Sequence, residues 1–402
     1  MPLTFRRGFD LHQAVVGLLS DDYDDALVDE ITRNGYHYRS GRLAINLAQA
    51  FGFCYGVDRA VDYAYQTRRQ FPDRPIYITG EIIHNPHVND KLRTAGIRFL
   101  SDAPEWWDRL GSGDVVIVPA FGITVAQMAD LDRRGCTLVD TTCGSVLNVW
   151  KYVARCAHDG YTAIIHGKAH HEETQATASQ VLKHPNGSYL LVRDRAETET
   201  VCSYISAGGD RGAFLAKFAA VASPEFDPET HLARIGLANQ TTMLMSESLE
   251  IGEMLRQAMR ERYGEADLDR RFRGFDTVCS ATQDRQDAVV ALLRDHPLDL
   301  MVVVGGYNSS NTCNLARMCA DVTPTYHIAG VECLVSADEL WYRPPSGRTG
   351  DGSAANSRGE LRATNWLPPD GLVRLGLTTG ASTPNSILGR VIRRLQELAG
   401  GP

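Results

Sequence analysis

The feature that most constrains this chain is a recurring unit in which a short apolar run leads into a polar loop and then an amphipathic stretch. A short apolar run bounded by turn residues indicates a buried strand, whereas apolar residues at 3.6-residue spacing indicate a helix. Strands that alternate with helices form parallel sheets. The sequence therefore predicts an α/β fold. The runs are RPIYITGEIIHN, GDVVIVPAFGI, YTAIIHGKAHH, LDLMVVVGGYNSSN and VRLGLTTGAST.

Three cysteines occupy the same place in this pattern, where a predicted strand gives way to a predicted helix. Cys54 lies in AINLAQAFGFCYGVDRAVDYAY, Cys143 in VDTTCGSVLNVWKYV and Cys279 in DTVCSATQDRQ. Small residues follow each cysteine and leave room for a group that approaches the backbone. Because a helix N-terminus lowers the pKa of a thiol, the three positions favour thiolates.

Three thiolates that meet at one point repel one another unless a cation joins them, so the pattern indicates iron or zinc. The separations of 89 and 136 residues argue against a zinc finger, whose ligands come in close pairs. Ligands from three α/β units predict a pseudo-threefold arrangement around the metal. A 4Fe–4S cluster with three cysteine ligands would keep one iron open to substrate. The alternative is three buried core cysteines. The other six are expected to be structural, with Cys313 as a spare candidate.

The composition argues against several classes of protein. A net charge of −8 and a pI near 5.8 lack the basic excess that binding to nucleic acid requires. No apolar run reaches the roughly 18 residues of a membrane helix, and the start MPLTFRRGFD is not a secretory signal. Nine cysteines in a long chain do not suggest a disulfide scaffold. We therefore expect a cytoplasmic protein, or a stromal one in a photosynthetic eukaryote, although no transit peptide is evident.

Polar residues cluster in the loops after the predicted strands, where ligands bind in open α/β sheets. Hydroxyl groups, amides and helix N–H groups together suit a phosphate, and imidazoles add groups that can also carry protons. Glu172 and Glu173 lie beside one of these imidazoles and are the predicted proton donors. Each motif taken alone has an ordinary structural explanation, such as a helix cap. The predicted ligand-binding residues are His84, His170, Thr241, Ser309, Ser310, Asn311 and Ser382.

The assembled motifs resemble those of the 4-hydroxy-3-methylbut-2-enyl diphosphate reductase family. They are, in chain order, GFCYGVDRAV, IIHN, DTTCGSV, HHEETQAT, NQTT, DTVCSATQDRQ, NSSN and GAST. The resemblance runs from about Leu43 to the C-terminus, and the segment before it resembles the extension of the plant and cyanobacterial branch. It implies three α/β domains in a trefoil around a 4Fe–4S cluster whose ligands are Cys54, Cys143 and Cys279. It also implies that Glu172 donates protons, that Glu173 does not, and that the seven ligand-binding residues surround the substrate.

The resemblance implies reductive removal of an allylic hydroxyl group, the last step of the non-mevalonate isoprenoid pathway, with ferredoxin as the expected electron donor. Two residues depart from the bacterial pattern. Phe121 stands where bacterial members have histidine, and His171, where they have proline, is expected to be a loop residue. The rival classes are a quinolinate-synthase-like enzyme or hydro-lyase with a three-cysteine cluster, and a non-enzymatic redox sensor or zinc scaffold. The predicted domains are 1–44 (extension), 45–143, 144–275 and 276–402, with insertions at 203–229 and 344–360.

Overall fold

The computed structural model describes residues 3–274, 277–345 and 355–400. Asp276, at the start of DTVCSATQDRQ, and part of the predicted insertion at 344–360 lie outside these residues. The strands are β1 (Thr4–Phe5), β2 (His37–Ser40), β3 (Leu43–Leu47), β4 (Ile76–Ile78), β5 (Arg98–Phe99), β6 (Val115–Val118), β7 (Thr137–Asp140), β8 (Thr162–His166), β9 (Tyr189–Val192), β10 (Ile235–Asn239), β11 (Phe272–Gly274), β12 (Leu300–Val304), β13 (Thr325–Ile328), β14 (Glu339–Tyr342), β15 (Leu361–Thr364) and β16 (Val373–Thr379).

Helices separate most of these strands along the chain, as an α/β fold requires. They are α1 (His12–Tyr23), α2 (Ala26–Arg33), α3 (Tyr55–Gln70), α4 (Pro86–Thr94), α5 (Trp106–Arg109), α6 (Val125–Arg134), α7 (Gly144–His158), α8 (Glu172–Val181), α9 (Arg195–Ala207), α10 (Arg211–Phe218), α11 (Pro228–His231), α12 (Met245–Tyr263), α13 (Leu268–Arg271), α14 (Ser280–Asp295), α15 (Ser310–Ala320) and α16 (Asn385–Leu398). Within the described ranges, no helix has both the length and the apolar composition needed to cross a membrane.

Three parallel sheets share one strand order. Sheet I contains β7-β6-β4-β5, sheet II contains β11-β10-β8-β9, and sheet III contains β3-β16-β12-β13. In sheets I and II, the four strands numbered along the chain lie side by side in the order 4-3-1-2. Sheet III has the same order for β12, β13 and β16 as its first three strands, and β3, from near the N-terminus, takes the place of the fourth. We call these the first to fourth strands of a sheet. The predicted α/β class is confirmed, and the repeated order places the switch point between the first and third strands.

One compact unit of the chain contains sheets I and II and consists of residues 1–6, 73–80 and 98–279. The strands β6 and β8 are buried along their whole length, which explains why VVIV and TAIIH read as unbroken apolar runs. The strand β1 extends sheet I by pairing in parallel with β7. The predicted insertion at 203–229 contains the end of α9, all of α10 and the start of α11, which lie between β9 and β10 in the chain.

The second compact unit contains sheet III and consists of residues 7–72, 81–97 and 280–402. The antiparallel strand β2 extends sheet III beyond β3, and β14 and β15 form a separate two-stranded sheet. Val28 and Ile31 on α2 are fully buried in the same core as the strands of sheet III. Part of the predicted extension therefore belongs to this core, while the predicted domain boundaries at 44, 143 and 275 stay predictions.

Asp22, near the end of α1, connects three helices of this second unit. Its carboxylate accepts hydrogen bonds from the hydroxyl of Tyr65 on α3 at 2.6 Å and from Nζ of Lys91 on α4 at 2.5 Å. Its main-chain carbonyl accepts a hydrogen bond from Oγ of Ser386 on α16 at 2.9 Å. These helices follow the loops of Cys54, His84 and Ser382, so the N-terminal segment holds the helices behind three predicted site loops.

Candidate functional site

Every predicted site residue lies in a loop that follows the first, third or fourth strand of a sheet, or in the first two residues of the helix after that loop. These loops are at the carboxyl ends of parallel strands, where α/β proteins bind ligands. After the first strands come His84, His170, Glu172, Ser309, Ser310 and Asn311; after the third strands come Thr241 and Ser382; after the fourth strands come Cys54, Cys143 and Cys279.

The main chain at each predicted ligand cysteine is held in the same way. The N–H group of the cysteine donates a hydrogen bond to the carbonyl group of the second residue beyond the end of the third strand. The bond joins Cys143 to Ala120 at 2.9 Å, Cys279 to Thr241 at 3.1 Å and Cys54 to Ala381 at 3.1 Å. Three segments of different sequence therefore place their cysteines at equivalent positions of their own sheets.

The residue two positions before each cysteine bonds to the last residue of the third strand. Thr141 donates its hydroxyl proton to the carbonyl of Val118 at 2.7 Å, and Thr277 does the same to Asn239 at 2.8 Å. This shared contact explains why Asp-Thr-x-Cys occurs twice. In DTTC, Asp140 also tightens the turn, because its Oδ1 accepts hydrogen bonds from the N–H and the hydroxyl of Thr142.

The Cys54 segment makes the equivalent contact, but here the hydroxyl group belongs to the third strand, β16. The N–H group of Gly52 donates to Oγ1 of Thr379, the last residue of β16, at 2.8 Å. Gly52 has a φ of +71°, and a Cβ atom added there would lie 2.7 Å from Oδ1 of Asn385. Only glycine suits both constraints, which explains why this copy reads GFC instead of DTxC.

The surroundings of Cys54 and Cys143 suit thiolates. Each is the N-cap of a helix of 15 or 16 residues and has extended backbone angles, so its sulfur lies near the positive end of the helix dipole. Both residues and Cys279 are half-buried and free of disulfide bonds. By contrast, burial raises the pKa of Cys202 and of Cys319 to about 12. The three predicted ligands thus fit an iron–sulfur cluster, which requires thiolates.

Glu173 and Thr241, in two predicted site loops of the first unit, share two hydrogen bonds. The Glu173 side chain is 1% exposed. Its Oε1 accepts a hydrogen bond from the N–H group of Thr241 at 2.6 Å, and its Oε2 accepts one from the Thr241 hydroxyl at 3.0 Å. The carbonyl group of the same Thr241 receives the N–H group of Cys279. Thr241 therefore links Glu173, to which the family resemblance gave no proton-donating role, to the predicted cluster ligand Cys279.

His171 is also part of this group. It is buried, and its ring meets the ring of Phe121 edge-on at a centroid distance of 5.6 Å. The side chains of His170 and Glu172 are exposed, although a carboxylate oxygen of Glu172 lies within 4.8 Å of an imidazole nitrogen of His171. The expectation that His171 is only a loop residue is corrected by its burial and its contact with Phe121. The assignments of His170 and Glu172 stay predictions, but His171 and Glu173 have the stronger geometry.

The start of α8 explains why His171 and Glu173, and not His170 and Glu172, have the buried positions. His171 is the N-cap, and its Nδ1 accepts a hydrogen bond from the N–H group of Glu173 at 3.2 Å. The helix then buries Glu173, Thr174 and Thr177 and exposes Glu172 and Gln175. The pair HHEE alone leaves open which histidine caps the helix. The signal was the helical spacing, because Glu173, Ala176, Thr177 and Gln180 share one face.

The predicted anion-binding residues of the second unit lie in three connected loops. Oδ1 of Asn311 accepts a hydrogen bond from the N–H group of Ala381 at 3.0 Å, and the hydroxyl of Ser382 donates to the carbonyl of His84 at 3.3 Å. A Cβ atom at Gly306 would collide with that same carbonyl. The structure therefore brings the IIHN, NSSN and GAST loops together, and the N–H group of Cys54 bonds to the GAST loop as well.

The donors of these loops suit an anion. Ser309 caps α15, and its Oγ accepts a hydrogen bond from the N–H group of Thr312. Asn311 is 2% exposed, and its Nδ2 finds no hydrogen-bond acceptor among the residues that the structure describes. Nδ1 of His84 lies 2.7 Å from Oε2 of Glu81, which orients the imidazole. An amide N–H donor beside a helix N-terminus provides both a hydrogen bond and partial positive charge for a phosphate oxygen.

Comparison with known proteins gives consistent relatives. The family model described as LytB protein matches residues 45–396. The 4-hydroxy-3-methylbut-2-enyl diphosphate reductase of Gloeobacter violaceus is 46% identical over 98% of this chain and 93% of its own length, and that of Synechococcus sp. strain RCC307 is 46% identical with the same coverage. The solved structure of (E)-4-hydroxy-3-methyl-but-2-enyl diphosphate reductase, the terminal enzyme of the non-mevalonate pathway, is 26% identical, with a TM-score of 0.52 over 88% of this chain and 99% of that one.

These relatives confirm the resemblance that the motifs indicated, including the likeness to cyanobacterial members. They favour a reductase over the quinolinate-synthase-like, hydro-lyase, sensor and zinc-scaffold alternatives. The chain belongs to the LytB family of 4-hydroxy-3-methylbut-2-enyl diphosphate reductases.

Proposed function

We propose that this chain removes the allylic hydroxyl group of 4-hydroxy-3-methylbut-2-enyl diphosphate by reduction. Two electrons and two protons enter, water leaves, and the products are isopentenyl diphosphate and dimethylallyl diphosphate. This is the last step of the non-mevalonate isoprenoid pathway. The observation that carries the proposal is the threefold repetition of one main-chain arrangement at Cys54, Cys143 and Cys279. The reductases that share this family support the same activity.

We assign the three cysteines as ligands of one 4Fe–4S cluster whose fourth iron has no protein ligand. Their half-buried sulfurs and the helices that begin at Cys54 and Cys143 support this assignment. When bound, the cluster would supply electrons and Lewis-acid chemistry at the open iron. The protein part of the mechanism is to hold the substrate and to deliver protons.

The loops of His84, Ser309, Ser310, Asn311 and Ser382 are assigned to the diphosphate. Asn311 offers its Nδ2 donor, and the N-termini of α15 and α16 add partial positive charge. Binding the diphosphate anchors the far end of the substrate, which does not react, and so supplies affinity.

Glu173 is our candidate for the proton donor, with His171 beside it. In its protonated form, the Glu173 carboxyl group can pass a proton to the hydroxyl of Thr241, to which it is already hydrogen-bonded. Thr241 can then pass a proton on to the leaving hydroxyl group, which departs as water. The family resemblance assigned this role to Glu172, and the paired variants described below distinguish the two assignments.

Phe121 replaces the histidine that bacterial members have at this position. Its ring contacts His171 and offers no hydrogen bond. We therefore assign the diphosphate-recognition role of that histidine to His171. Ferredoxin is the proposed electron donor, as expected from the likeness to the cyanobacterial branch.

The test is an anaerobic assay of the purified protein with the hydroxylated diphosphate and dithionite. We expect both five-carbon diphosphates as products and no turnover when the reductant is omitted. Product formation without any reductant would indicate a hydro-lyase and would refute the proposal. Reduced ferredoxin in place of dithionite then tests the assigned donor.

A further inference from the structure

Tyr307, in the loop between β12 and α15, is held from several sides. Its hydroxyl donates a hydrogen bond to Oε1 of Glu360 at 2.6 Å and accepts one from the N–H group of Ala329 at 3.2 Å. Its ring meets that of His327 edge-on at 5.0 Å, and the guanidinium of Arg343 lies 5.0 Å from the ring centroid. These contacts fix a residue that lies two positions before Ser309.

Glu360 is a buried carboxylate to which the reaction assigns no role. Glu360 is 3% exposed and lies directly before β15, which is one strand of the two-stranded sheet. Besides Tyr307, Nδ2 of Asn356 donates to its Oε2 at 2.8 Å, and the thiol of Cys333 donates to its Oε1 at 3.6 Å. Burial alone would raise the pKa of Glu360, but the hydrogen bonds from Asn356, Tyr307 and Cys333 hold it below its ordinary value. The carboxylate is therefore charged when it holds the tyrosine hydroxyl.

The main chain between Tyr307 and β12 transmits this restraint. Gly305 has a φ of +151°, and a Cβ atom there would lie 2.5 Å from Oγ1 of Thr383. Gly306 packs directly against the carbonyl of His84. On the other side of Tyr307, its carbonyl accepts a hydrogen bond from the thiol of Cys313 at 3.3 Å. A displacement of the Tyr307 side chain therefore moves residues 305–311, which contain Ser309, Ser310 and Asn311.

We propose that Glu360, acting through the hydroxyl of Tyr307, is a positioning residue for the diphosphate-binding loop at residues 305–311. This proposal rests on the function proposed above and adds the two-stranded sheet to the parts of the chain that set substrate affinity. The diphosphate does not change during the reaction, so its contacts contribute equally to the ground state and the transition state. A loosened loop should therefore raise KM and leave kcat nearly unchanged.

The experiment compares variants in the full-length protein with its cluster. Tyr307→Phe keeps the ring and removes the hydroxyl, and Glu360→Ala removes the acceptor. Each should raise KM for the substrate about tenfold, the effect of losing one hydrogen bond to a charged group, with kcat within about twofold. Glu360→Gln keeps a carbonyl oxygen that can accept from Tyr307, so it should recover most of the affinity.

Trp366→Phe is the matched control because Trp366 is buried in the same region and its Nε1 donates to the carbonyl of Ser336 at 2.9 Å. It should lower the melting temperature about as much as Tyr307→Phe does but leave KM unchanged. Equal melting losses with an unchanged KM in all four variants would mean that Glu360 only stabilises the two-stranded sheet, and would overturn the proposal.

Inorganic pyrophosphate separates this proposal from the proposed function. Calorimetric titration of the oxidised protein measures anion binding without turnover, and we expect about tenfold weaker binding in Tyr307→Phe than in the unaltered protein. That result would support the positioning role even if the reductase assay failed. Unaltered affinity in the variant, or no binding by the unaltered protein, would overturn the positioning role whatever the assay shows.

Discussion

Replacing Glu173 with glutamine tests the proton donor and preserves the shape of the site. Glu173 accepts two hydrogen bonds from Thr241, at 2.6 and 3.0 Å, and is 1% exposed. Glutamine can accept the main-chain bond through its carbonyl oxygen and donate its amide to the hydroxyl oxygen. Two charge-assisted bonds thus become neutral, at a cost of about 1 kcal/mol each. A loss of about 2 kcal/mol leaves the protein folded, since domains are stable by about 5–15 kcal/mol.

The expected effect of Glu173→Gln on turnover is much larger than its effect on stability. A carboxamide cannot donate a proton as an acid, and general acid catalysis contributes about 100- to 10,000-fold. We therefore expect at least a 100-fold loss of kcat with unchanged iron and sulfide content. Glu172→Gln is the matched control, because the neighbouring side chain is exposed, and should change the free energy of unfolding by less than about 0.5 kcal/mol.

The assay is dithionite-driven consumption of the hydroxylated diphosphate, measured beside thermal unfolding and metal content for both variants. If Glu172→Gln abolished turnover while Glu173→Gln kept it, the original assignment of Glu172 would stand. The contact between Glu173 and Thr241 would then be structural.

Three further predictions concern the cluster, the core and the backbone. Cys143→Ser should lose most of its bound iron while remaining folded, and a full 4Fe–4S absorption spectrum in that variant would contradict the ligand assignment. Burial lowers the pKa of His327 from 6.5 to about 4, so the unfolded chain binds the proton first and stability falls by up to about 3 kcal/mol as the pH falls from 6.5 to 4. Chemical denaturation should show that His327→Gln lacks this loss. Gly122→Ala should destabilise the fold by about 2 kcal/mol or more, because φ is +77° and the new Cβ would collide with Trp150; an unchanged melting temperature would contradict this.

The sequence predicted the fold class and located the three cysteines because both are encoded locally. Alternating apolar runs and amphipathic stretches mark strands and helices, and two of the three cysteines lie in Asp-Thr-x-Cys, whose threonine holds the segment to the neighbouring strand. The role of the N-terminal segment could not be predicted in this way. Asp22 acts through Tyr65 and Lys91, which lie 43 and 69 residues further along the chain. Contacts of that separation leave no periodic pattern in a single sequence.

The Cys54 motif differs from the other two. It follows β3, near the N-terminus, whereas the neighbouring strand β16 lies near the C-terminus. In sheets I and II, Thr141 and Thr277 carry the hydroxyl that joins the cysteine segment to the third strand. In sheet III the hydroxyl belongs to Thr379 on the third strand, and Gly52 supplies only its N–H group. The hydrogen bond therefore occupies the same position in all three sheets, but in sheet III the hydroxyl group is on the third strand and not on the cysteine segment. A search for repeated letters therefore finds two copies of the motif, whereas the strand order finds three. The geometry of the main chain is thus the better support for Cys54 as the third proposed ligand.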